Sequence, residues 1–109
     1  MSTIQEIIDL LIKFRNERNW EQFHNSKDLA LALSIEASEL NELFLWKGPE
    51  DVDVEKLKEE LADVFIYAFL LANKYDLDVK HIVANKIKIN EKKYPPYKAK
   101  NSAKKYSEL

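Results

Sequence analysis

A single glycine and three prolines are all that 109 residues offer for breaking a helix. Gly48 stands beside Pro49, and Pro95 beside Pro96, so the strong breakers fall at only two places. Elsewhere apolar residues recur with the helical period, and no stretch alternates as a strand would. The sequence therefore reads as all-α: a four-helix bundle-type subunit, one domain over residues 1–109, with a polar, Lys-rich tail at 97–109. The first helix is expected at about residues 3–18, with Ile4, Ile7, Ile8, Leu11 and Phe14 on one side and Ser2 or Thr3 as cap. A polar link carrying aromatic residues follows at 19–26. The second helix is expected at 27–46, with Ser26 as N-cap and Gly48-Pro49 as its stop. Asp53 caps a third at 54–75. Asp78 caps a fourth that ends near Lys93, and Pro95-Pro96 then close the helical region.

Composition removes several function classes. Apolar residues make up 46% and charged residues 33%, a balance that folds. A net charge of −2 does not fit a binder of nucleic-acid polymers. The absence of Cys excludes disulfides, thiolate metal sites and Cys nucleophiles. The N-terminal MSTIQEIIDLL has neither the basic start nor the apolar run of a secretion signal. The most apolar stretch, 61–72, is about half a membrane span and contains Asp63. The expectation is a cytoplasmic protein with no membrane partner.

Two helical stripes carry residues that an apolar core would reject. On helix two the stripe runs Leu29, Ala32, Glu36, Glu39, Leu43, Trp46, apolar at its ends and acidic in its middle. On helix three it runs Leu57, Glu60, Val64, Tyr67, Leu71, with Asp63 one turn from Glu60. A single i, i+3 acidic pair is ordinarily solvated surface. Two pairs inside apolar stripes are different, because an ionised carboxylate is costly to bury alone and several together repel. Glu39 lies seven residues before Trp46, and Glu60 seven residues after Asp53. A short Gly-Pro link makes these helices antiparallel neighbours, which sets Glu36/Glu39 against Glu60/Asp63 at one level. Four carboxylates without His or Cys suit a hard cation, Mg²⁺ or Mn²⁺. Glu42, about 60° off the Glu39 direction, falls at the edge of this group.

The surrounding words resemble a known family. Glu36-x-x-Glu39 followed by Glu60-x-x-Asp63 is similar to the signature of the all-α nucleoside triphosphate pyrophosphohydrolases of the MazG-like superfamily. WEQFH (20–24), ALALSIEASELNELFLWK (30–47), EELADVFIY (59–67), KYP and SAKKYSEL (102–109) resemble its dCTP pyrophosphatase branch, and the likeness spans about residues 14–109. The resemblance implies Mg²⁺-dependent cleavage between the α and β phosphates, giving a monophosphate and pyrophosphate. It implies metal ligation by Glu36, Glu39, Glu60 and Asp63, and base and sugar contacts from Trp20, His24, Trp46 and Tyr67 with Gln22 or Phe23. Leu11 stands where relatives can place a polar substrate contact.

The residues agree with that chemistry. A triphosphate entering a site of carboxylates requires a cation between them, and with no Cys or Ser-His pair a water is the expected nucleophile. Its base is one of the four acids, or Glu42. Lys86 and Asn90, with Lys92 and Lys93, either reach phosphates from helix four or form a solvated face. The tail lysines, Lys98, Lys100, Lys104 and Lys105, either fold over the triphosphate or stay mobile. His81 reads as structural. The stretch LADVFIYAFLLA (61–72) is apolar nearly all round and so must be covered all round. A homo-oligomer is expected, a tetramer built as a pair of dimers with helices two and three near the interface. Other readings are a broader enzyme acting on dUTP, other dNTPs or phosphoribosyl-ATP, and a non-enzymatic helical interaction module. A di-iron bundle is a further option, but it would place a His three residues after a Glu, and these helices do not.

Overall fold

The computed structural model describes residues 3–109, and all regular structure among them is helical. The elements are α1 (Ile4–Glu17), a 3₁₀ turn (Trp20–Phe23), α2 (Ser26–Glu42), α3 (Val54–Lys74), α4 (Val79–Lys93), a short α5 (Pro96–Ala99) and a second 3₁₀ turn (Tyr106–Glu108). They fall into two compact units, one ending at Leu77 and the other Asp78–Leu109. No helix among the described residues is long and apolar enough to cross a membrane.

In the first unit each helix starts on a side chain that satisfies free backbone N–H groups. The Thr3 hydroxyl accepts from Glu6 N at 3.1 Å, and Asp53 accepts from Glu55 N at 3.0 Å. Ser2 lies outside the described residues. For α2 the cap is Asn25, not Ser26: Asn25 Oδ1 accepts from Asp28 N at 2.9 Å, and Asn25 Nδ2 donates to Asp28 Oδ2 at 2.7 Å. Asn and Ser are almost equally good caps, so residue type alone does not choose between neighbours.

The end of α2 also differs from expectation. The α-helix stops at Glu42, and the chain continues through i, i+3 hydrogen bonds, Phe44 N to Asn41 O and Leu45 N to Glu42 O, each 3.1 Å. It then reverses at Trp46, whose φ is 62°. The left-handed residue is thus a tryptophan, while Gly48 has ordinary negative φ. Trp46 leaves the stripe of Glu36 and Glu39 and stands 98% exposed.

The packing of α2 on α3 is the most extensive contact between elements of this unit, and α1 packs on α3. The core is thin, as a short chain requires. Ile8 of α1, Leu29 of α2, and Leu70 and Ala72 of α3 are its buried apolar residues. Much of the all-round apolar face of α3 is open to solvent in a single chain, including Leu61, Phe65 and Ile66.

In the second unit Asp78 Oδ1 accepts from His81 N at 3.1 Å and starts α4. Pro95-Pro96 does not end the helical region. Pro95 is the N-cap of α5 and Pro96 its first residue, where a missing N–H removes no bond. The tail turns back on α4: Tyr106 meets Tyr94 edge-on at 6.1 Å, and Lys93 Nζ lies 4.8 Å from the Tyr106 ring centre.

The two candidate caps of α2 separate in a stability measurement. Asn25→Ala removes the cap and is expected to cost about 1 kcal/mol in urea unfolding. Ser26→Ala should stay within about 0.5 kcal/mol of the parent. The reverse order would return the cap to Ser26.

Candidate active site

The acidic group is built by two helices that face each other. Glu36 is mid-way along α2, and Glu60 and Asp63 are one turn apart on α3. One carboxylate oxygen from each of these three lies within 4.8 Å of the other two. All three side chains are half-buried, and the Oε2 atoms of Glu36 and Glu60 are buried without a hydrogen-bond partner. A buried acceptor with no donor carries the full cost of its desolvation. Glu39 is exposed and lies outside this trio, yet its carboxyl acts on both glutamates.

Protonation equilibria show the strain. Loss of solvent is the first cause that raises Glu36, to about 7; contact with Glu39 and the charges of Glu39, Asp63 and Glu60 add to it. Glu60 rises for the same reasons, loss of solvent first and the charge of Glu39 next. Orphaned buried oxygens and a set of hard donors alone fit a hard divalent cation. The register expected from the helix ends rested on α2 reaching Trp46. With α2 ending at Glu42 the seven-residue match disappears, although Glu36 still meets Glu60 and Asp63.

A cavity of about 240 Å³ opens beside Glu36 and Asp63. Leu11, Phe14 and Arg15 of α1 line one side, Ile66, Tyr67 and Leu70 of α3 another, and Trp20 and His24 complete it. The Trp20 ring meets Phe14 edge-on at 5.7 Å, making an aromatic end. The ordinary pKa of His24 is lowered, by burial first and then by the charges of Arg15 and Lys74, with Glu21 opposing. At neutral pH the ring is therefore the uncharged imidazole, and its Nδ1 is buried without a partner.

The structure thus brings together Trp20, His24, Glu36, Asp63 and Tyr67, with Glu60 completing the acidic trio. Other residues named from sequence are not part of this wall within the first unit, or belong to the second unit. Gln22 turns away, donating to the Asn19 carbonyl at 3.0 Å, and Phe23 is 65% exposed and outside the cavity wall. Trp46 is absent from that wall. Lys86 and Asn90 are exposed on α4 of the second unit. Sequence reasoning missed Arg15, which is buried. The signal was present: Arg15 follows Ile8 and Leu11 at helical spacing, a charge inside the apolar stripe of helix one, parallel to the logic applied to the acids.

The family model described as "MazG-like family" matches residues 31–109. The dCTP pyrophosphatase 1 of Homo sapiens is 42% identical over an alignment covering 98% of this chain and 68% of its own length. That of Rattus norvegicus is 40% identical with the same coverage. A crystal structure of a pyrophosphatase from Archaeoglobus fulgidus superposes with a TM-score of 0.77 at 35% identity, covering 87% of this chain and 94% of that one. With the acidic helix pair in place beside an aromatic cavity, these likenesses establish that the chain belongs to the MazG-like family and is a nucleoside triphosphate pyrophosphohydrolase.

Proposed function

We propose that the chain hydrolyses dCTP or a modified dCTP to the monophosphate and pyrophosphate, using Mg²⁺, with Mn²⁺ as an alternative. The observation that carries this reading is a trio of mutually close carboxylates, two of which, Glu36 and Asp63, line one edge of a cavity whose other edge is aromatic. Glu36, Glu60 and Asp63 would hold the ion, with Glu39 beside them as the fourth acid. Such an ion supplies the positive charge that carboxylates and phosphate oxygens can share. The residues themselves do the rest. Trp20 and Tyr67 offer faces for the base, and neutral His24 offers a ring nitrogen without adding charge. Among the described residues no Ser, Thr or Cys lines the cavity, which favours water as the nucleophile and one of the acids, or Glu42, as its base.

A second reading has one observation in its favour. Leu11 lines the cavity where relatives can place a polar contact, and an apolar wall discriminates weakly between bases. A broader dNTP or dUTP pyrophosphohydrolase follows from that. Pyrophosphate release across a nucleotide panel, with and without Mg²⁺, separates the two; no release from any nucleotide would remove both. The same proposal includes a homo-oligomer, a tetramer as a pair of dimers, in the cytoplasm. Its support is the exposure of Leu61, Phe65 and Ile66 on α3 over a core with few buried side chains. Contacts from Trp46, Lys86 and Asn90 remain part of the proposal. For Trp46 the contact would come from a neighbouring copy, since it lies outside the cavity of its own chain.

Three outcomes check this. Glu60→Gln should abolish turnover while helicity is kept, because the ion needs the ionised carboxylate; near-normal activity in the folded variant removes Glu60 from the ligand set. The pH dependence has a definite sign. Glu36, raised from 4.5 to about 7, binds its proton more tightly in the metal-free fold than in the unfolded chain. Metal-free stability should therefore fall as pH rises from 4.5 towards 7. Affinity for Mg²⁺ should rise over that range, with protons released on binding, as titration calorimetry in two buffers would show. A pH-independent affinity would mean that Glu36 is not a ligand. Finally, Trp46→Ala should raise KM for dCTP about ten- to a hundredfold, on the scale of base stacking. Metal affinity without nucleotide should change little. An unchanged KM in a variant of unchanged mass by light scattering would make Trp46 a surface residue.

A further inference from the structure

Arg15 is the one buried charged residue among the described residues, and the proposed reaction leaves it without a role. Its side chain is 9% exposed and lines the cavity. Two of its nitrogens, Nε at 3.1 Å and Nη2 at 3.0 Å, donate to Asn16 Oδ1. Nη2 also lies 3.5 Å from Glu21 Oε2, on a side chain that is 60% exposed. These contacts fix the guanidinium plane from one side. No described residue accepts from Nη1. A guanidinium keeps its charge at any working pH and carries five donors in a rigid fork, so a buried one with an idle nitrogen has donors left for a ligand.

The position of Arg15 says what that acceptor is. It follows Phe14, whose ring packs on Trp20, and its charge acts on His24. It therefore belongs to the aromatic end of the cavity, where stacking faces gather. The Leu11 side chain one turn earlier on the same helix has no polar group to offer a base. We propose that Arg15 reads the nucleobase, donating the two hydrogens of Nη1 to the adjacent O2 and N3 acceptors of cytosine, and so favours cytosine over uracil and thymine. Cytosine presents its carbonyl O2 beside an N3 that carries a lone pair, two adjacent acceptors. Uracil and thymine carry a hydrogen on N3, which would point a donor at a donor. A site built to make such a pair of bonds rejects the base that cannot complete it, because a donor enclosed beneath the bound base is left facing the N3 hydrogen. Arg15 would thus supply from one turn away the base recognition that Leu11 cannot.

This inference rests on the nucleotide reading of the site, and binding separates the two. The probes are dCMP, dUMP and deoxyribose 5-phosphate, titrated by calorimetry into the full-length protein with Mg²⁺, alongside steady-state rates for dCTP and dUTP. The parent should bind dCMP at least tenfold more tightly than dUMP. Arg15→Gln should remove most of that preference while leaving deoxyribose 5-phosphate binding, Mg²⁺ affinity and the unfolding midpoint near the parent values. If Arg15→Gln fails to fold, Arg15→Lys keeps the charge but loses the fork, and the preference should still fall. Equal weakening of all three ligands would make Arg15 a phosphate or packing residue and overturn the proposal. A retained dCMP preference in either folded variant would do the same. If the parent binds dCMP selectively yet releases no pyrophosphate from any nucleotide, the enzymatic reading fails while the assignment of Arg15 stands. Selectivity absent from the parent itself removes the assignment whatever the turnover.

Discussion

Three carboxylates within 4.8 Å of one another are the constraint around which the first unit is arranged. Left alone they repel, and the buried oxygens of Glu36 and Glu60 have no donor to offset lost hydration. Part of that cost is relieved by holding a proton, which is why Glu36 rises to about 7. The remainder must be met by packing in the thin core, where Leu29 of α2 and Leu70 and Ala72 of α3 are buried. A thin core pressing like charges together is a poor way to make a stable domain and a good way to make a cation site. That asymmetry favours the proposed metal-binding reading over an interaction module: in an interface the acids could turn to solvent at no cost, whereas here one oxygen each of Glu36 and Glu60 is already enclosed.

The parts of this arrangement legible in the sequence are those that a single side chain decides. Thr3, Asp53 and Asp78 are recognisable caps because each precedes a periodic segment and each side chain has an N–H to accept from. Glu36, Glu60 and Asp63 are recognisable because an apolar stripe gives an ionised acid no partner, and acids gathered there need a cation to stay charged. What is not legible depends on competition between equals. Asn25 and Ser26 are adjacent caps of similar strength, and only the backbone path chooses Asn25. The end of α2 differs because Gly48 advertises a left-handed turn that the chain makes two residues earlier, at Trp46. The register inferred from that end therefore has a wrong premise, even though three of the acids it paired do meet. Pro95-Pro96 reads as a stop because proline breaks helices, but proline in a first turn breaks nothing.

Arg15 escapes for a different reason. A long basic side chain in an amphipathic helix is ordinarily read as a stem lying along the core with its head in water. Only the three-dimensional wall shows that the head stays in, held by Asn16 and facing a cavity. Its presence changes the electrostatics of the whole pocket. The edge formed by Glu36 and Asp63 carries negative charge, while the α1 edge carries a fixed positive one, and His24 beside it is driven to the neutral form by burial and by that charge. A nucleotide has the same polarity in reverse: several negative charges on the phosphates and a neutral base rich in acceptors. Laid with its phosphates towards a cation on the acids and its base towards Arg15, it meets a compensating partner at both ends. Turned round, it would press phosphates on Arg15 without that cation and set base carbonyls against carboxylates. With a cation on the acids, as proposed, the charge pattern would select an orientation before any specific contact with the base is made, so the proposed function and the proposed reader of the base draw on one field.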